Sequence, residues 1–135
     1  MSERVITNLL KDVKIPKMVL VHQKFKRPKI ETENIAPTII SQFEEDKFNS
    51  RIKPGMNICI TCGSRGISNI PLIIKTISDF CKSKGANPFV VPAMGSHGGA
   101  TAEGQLEILK SLGVTEESVG CPIKSSMETV VVGHT

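Results

Sequence analysis

Met56-Asn-Ile-Cys-Ile-Thr-Cys62 is followed by Gly63-Ser-Arg-Gly-Ile-Ser68, and Pro88-Phe-Val-Val-Pro-Ala-Met94 by Gly95-Ser-His-Gly-Gly-Ala100. Each pair is a short run of β-branched and apolar residues feeding a glycine-rich loop. Lys53-Pro-Gly55 forms a turn before the first run. Between the pairs, Ile70, Ile73, Ile74, Ile77, Phe80 and Cys81 recur at i, i+3 and i+4, one stripe of an amphipathic helix. Asn69 is placed to cap that helix and Pro71 suits its first turn. Lys82 and Lys84 complement its carboxyl end, and Gly85 stops it. After the second loop, Thr101 can cap a helix with Ala102, Leu106, Leu109 and Leu112 inward, ending at Gly113.

Outward from this centre the pattern weakens. Lys17 to Phe25 reads as a strand bracketed by Pro16 and Pro28, and Ile35 to Phe48 as a helix with Ala36, Ile39, Ile40, Phe43 and Phe48 on one side. Val114 to Gly120 reads as a turn-like segment and Glu128 to Val132 as a further strand. The expected fold is α/β: a Rossmann-like open sheet, mainly parallel, in three α/β/α layers. Residues 1–50 would be an N-terminal strand and helix of the same domain as the core at 51–135. The chain stops directly after a predicted strand. With both faces of a parallel sheet needing cover, a C-terminal partner region is expected to be missing.

Hydrophobic residues make up 39% and charged residues 22% of the 135, which fits a globular domain rather than a disordered chain. No apolar run approaches the roughly 20 residues of a membrane span, and no signal-peptide pattern follows Met1. A cytoplasmic protein is expected. Net charge is +4, but residues 1–30 carry 8 Lys+Arg against 2 Asp+Glu, so the excess is local. With no Trp or Tyr to stack bases, a nucleic-acid partner is not expected.

Four cysteines stand at 59, 62, 81 and 121. Cys59-x-x-Cys62 has the spacing of half a zinc site, with no second pair to complete it. In a strand, positions three apart face opposite sides, so free thiols are expected. Cys62, at the strand's end, is nearest the loops.

Loops that follow parallel strands emerge at one sheet edge, where open α/β folds bind ligands. Gly63–Ser68 and Gly95–Thr101 should therefore share a rim. Glycines let backbone amides approach an anion, and helix N-termini add positive charge. Arg65 offers planar recognition of carboxylate or phosphate. His97 can act as general acid or base. The bland alternatives are a structural salt bridge or a loop-bracing role for Arg65 and a capping or core-satisfied imidazole for His97. Ser64, Gly66, Gly95, Ser96, Gly98 and Gly99 complete the candidate binding set, although the serines could simply fit tight turns. Neither G-x-G-x-x-G nor a P-loop pattern occurs. His22 and His134 carry no comparable context, and Glu103 complements a helix dipole.

At these loops the chain resembles the N-terminal domain of the nickel-pincer lactate racemase family. The resemblance runs from about Pro54 to Val132. It is carried by Gly63-Ser-Arg-Gly66, by Pro92-Ala-Met-Gly-Ser-His-Gly-Gly-Ala-Thr-Ala-Glu-Gly-Gln105 and by Cys121-Pro-Ile-Lys-Ser-Ser-Met127. It implies a 2-hydroxy-acid racemase or epimerase working by hydride transfer to a nickel pincer nucleotide. His97 then resembles the first of two acid/base histidines, and Arg65 the arginine of a Thr-Arg-Pro loop. Cys62-Gly63 replaces acidic residues of that loop, and Gly98 replaces an arginine after the histidine, so lactate is not implied as the substrate. The family's cofactor-linking lysine, nickel-binding histidine and second acid/base histidine would lie beyond Thr135. The 135-residue chain alone is expected to be inactive and without cofactor. A homo-oligomer is compatible with this reading. The rival reading is a non-catalytic α/β domain binding a phosphate or carboxylate metabolite.

Overall fold

The computed structural model describes residues 3–14, 16–26 and 28–133; His134 lies outside them. The architecture is mixed α/β. Strands β1 (Asn57–Cys62) and β2 (Asn87–Pro92) form a two-stranded parallel sheet packed against helices. They run in register from Asn57 opposite Asn87 to Cys62 opposite Pro92. In β1, Ile60 and Cys62 are buried while Cys59 and Thr61 are exposed. That is the alternation of a strand with one face on the core.

The helices, in chain order, are α1 (Glu3–Leu10), α2 (Thr32–Phe43), α3 (Asp46–Asn49), α4 (Ile70–Ser83), α5 (Ala102–Ser111) and α6 (Glu116–Val119). A 3-10 turn at His97–Ala100 precedes α5. Helix α4 is the crossover between the strands. Ile70, Ile74 and Cys81 are buried on it, and Phe80 meets Phe43 of α2 at 5.4 Å between ring centroids. Val90, Leu109, Val114 and Val119 are fully buried and join sheet, α5 and α6 in one core. Burial of side chains like these is worth roughly 1.5–3 kcal/mol each. Among the described residues, no helix is long and apolar enough to cross a membrane.

Several outer elements differ from the sequence reading. The expected strand at 17–25 does not form: its described residues are irregular, with Leu20 99% exposed. Nor does the strand at 128–132, where Val130 to Val132 are exposed. Strand propensity needs a neighbouring edge, and neither segment has one among the described residues. The chain instead touches β2 earlier. Ile123 makes a single parallel bridge to Val90, with Val90 N donating to the Pro122 carbonyl and Lys124 N to the Val90 carbonyl, both at 2.8 Å.

The helix expected at 35–48 starts at Thr32 and breaks after Phe43, with α3 as a separate turn. Two successive carboxylates, Glu44 and Glu45, follow the negative end of the α2 dipole, which disfavours them there. Asn69 does not cap α4 with its side chain. It sits in the left-handed region (φ 59°, ψ 27°) and directs its amide toward Thr32, a conformation asparagine tolerates better than most residues. The turn-like segment after Val114 holds α6, started by a reciprocal cap. Ser118 N donates to Thr115 Oγ1 (3.1 Å) and Thr115 N to Ser118 Oγ (2.9 Å).

Candidate functional site

Both glycine loops leave the carboxyl ends of β1 and β2. The ladder persists to their base, where Ala93 N donates to the Cys62 carbonyl at 2.8 Å. Beyond that bond the loops face each other across a cleft of about 360 Å³. Gly63, Ser64, Arg65, Ile67, Met94 and His97 are among its walls.

Ser64 Oγ lies 2.6 Å from His97 Nδ1. His97 is exposed and Ser64 half-buried, so the ring is neither a core histidine nor a helix cap. Arg65 is exposed, and among the described residues no carboxylate pairs with it. The salt-bridge alternative thus has no partner among the described residues. The cleft presents an exposed guanidinium, an imidazole and a hydroxyl, with no carboxylate in its lining. Such a set attracts anions.

The loop bearing His97 is built from α5. Thr101 Oγ1 accepts from Gly104 N (3.1 Å) and donates to the Gly98 carbonyl (3.0 Å). Gly98 has φ +66°, and a Cβ there would stand 2.5 Å from the Gly104 carbonyl carbon. Glycine at 98 therefore answers both a left-handed backbone and a close approach. Gln105, only 3% exposed, donates through Nε2 to the Gly95 carbonyl at 2.8 Å. It holds the start of the loop from beneath.

Of the candidates read from sequence, Ser64, Arg65 and His97 come together in the cleft. Gly66, Gly95, Ser96, Gly98 and Gly99 are not among its walls; the four glycines have positive φ and shape the loops. Met94 and Ile67 form apolar walls that the sequence reading passed over, as it did the supports Gly104 and Gln105. Gln105 could have been found: it stands four residues before Leu109, on the inward stripe of α5.

Cys62 is buried below the loops, where burial pushes its thiol above the usual range. Cys59 is exposed on the opposite strand face, as expected from the spacing. His22 is exposed in an irregular segment. Two larger concavities, about 400 Å³ between α2 and α4 and about 480 Å³ beside Pro28 and Asn69, bring no imidazole or thiol.

The nickel pincer nucleotide implied by the resemblance meets a mixed fit. Arg65 and Ser64 suit its anionic groups. Among the described residues, however, no three His, Cys, Asp or Glu side chains are grouped to hold a metal ion. These residues do not form a nickel site. Comparison with models of protein families, with curated proteins and with solved structures finds no match for this chain.

Proposed function

We propose that this chain is the N-terminal α/β part of a 2-hydroxy-acid racemase or epimerase of the lactate racemase type, a cytoplasmic isomerase. The observation that carries the reading is the convergence of Arg65 and His97 on one cleft. In this reading Arg65 binds the substrate carboxylate or a cofactor phosphate, and His97 exchanges the proton of the substrate hydroxyl. Met94 and Ile67 give the cleft an apolar side. Metal ligands and the hydride acceptor come from outside these residues, in a C-terminal region or with the cofactor itself. The two strands would be adjacent members of a wider Rossmann-like sheet with helices on both faces.

The test is turnover. The longer protein, supplied with nickel and mature cofactor, should racemise or epimerise a 2-hydroxy acid, and His97→Ala should lower kcat by at least 10²-fold. Full activity in His97→Ala would discard the assignment.

A second reading has its own support in the exposed Arg65, which no carboxylate pairs with among the described residues: a non-catalytic module that binds a phosphate or carboxylate metabolite. It predicts phosphate binding by the 135-residue chain that Arg65→Ala abolishes and His97→Ala leaves intact.

A further inference from the structure

The contact between Ser64 Oγ and His97 Nδ1, at 2.6 Å, joins side chains from the two loops. A neutral imidazole carries one proton, on either nitrogen, whereas the cation carries both. A hydroxyl can meet Nδ1 as donor or as acceptor. Only one arrangement survives a cycle of proton uptake and release. When Nδ1–H donates to Ser64 Oγ, that bond keeps its direction in both charge states, and Nε2 alone gains and loses the proton. When the hydroxyl donates to Nδ1, Nε2 already holds the proton. Protonation then falls on Nδ1 and the hydroxyl must turn round. A group that need not reorganise during the reaction is the more effective one. Among the described residues, no other side-chain hydrogen bond engages either Ser64 or the His97 ring.

We propose that Ser64 is a positioning residue which holds His97 as its Nδ1–H tautomer and leaves Nε2 as the exchanging nitrogen. This deepens the acid/base role of His97 and rests on that reading for its consequence in turnover, but not for its test.

Nitrogen-15 correlation spectra of the labelled chain at mildly alkaline pH report the tautomer directly. The wild type should show a protonated Nδ1 and an unprotonated Nε2. Ser64→Ala should lower the ratio of Nδ1–H to Nε2–H tautomer by about three- to tenfold, the equivalent of one neutral hydrogen bond. Ser64→Thr should restore it. An Nε2–H majority in the wild type, or an unchanged ratio in Ser64→Ala, would overturn the proposal. If Ser64→Ala disturbs the amide spectrum outside the loops, Ser64→Thr against the isosteric Ser64→Val reads the same difference. The racemase reading fails separately, on turnover.

Discussion

Gln105 reaches from the first turn of α5 to the carbonyl of Gly95, 2.8 Å away, and so fixes the loop on which His97 stands. A buried carboxamide does this without adding charge beside the imidazole. Its two constraints, burial and donation to backbone, can be separated by substitution. Gln105→Leu keeps most of the volume and removes the donor, leaving the Gly95 carbonyl without it. The expected loss is about 1–2 kcal/mol of stability, read by urea unfolding, with faster amide exchange confined to residues 95–98.

Gly104→Ala tests the close approach of α5 to the loop. At an ordinary helix position this change stabilises by roughly 0.5–1 kcal/mol. Here a Cβ would overlap the Gly98 carbonyl, which is backbone and cannot swing aside. A loss of about 1–3 kcal/mol is expected instead, measured as a shift of the denaturation midpoint at constant slope.

Ser78, on α4, is fully buried, and its hydroxyl has no hydrogen-bond partner among the described residues. Leaving a polar group buried and unpaired costs about 1–3 kcal/mol. Ser78→Ala should therefore raise stability by about 1 kcal/mol. Calorimetry showing a lower Tm would mean that the hydroxyl is satisfied in solution.

The thiols should separate by burial. Burial pushes Cys62 up, and burial together with neighbouring Cys121 pushes Cys81 up, from the ordinary 9.0. An acid whose folded pKa is raised favours the native state below its unfolded pKa. That contribution is lost as pH climbs from the unfolded value through the folded one. Stability should thus fall above about pH 9, and Cys81→Ala should flatten the fall. At neutral pH a thiol reagent should modify exposed Cys59 well before Cys62 or Cys81.

The contrast between what was legible in the sequence and what was not follows from the range of the interactions. Strands β1 and β2 and helices α4 and α5 announce themselves through local periodicity, and each is bounded by residues such as Pro71, Gly85 or Thr101. The meeting of Arg65 and His97 was legible too, because parallel strands send their following loops to one edge. The segments at 17–25 and 128–132 were misread for the opposite reason. Their β-branched and apolar residues satisfy strand propensity, but pairing is a long-range event that no window of residues contains. Asn69 met the pattern of a cap yet takes the left-handed backbone, because its neighbours rather than its type decide where the side chain goes. Gln105 and Gly104 were missed because their roles depend on a backbone that comes close only after folding.

The cleft's affinity for anions is the claim on which the functional reading stands, and phosphate titration of the labelled chain tests it most directly. Saturable, salt-sensitive shifts should appear together at the Arg65 side chain and the His97 ring, and disappear in Arg65→Ala. Shifts absent from both residues, or unchanged in Arg65→Ala, would contradict it.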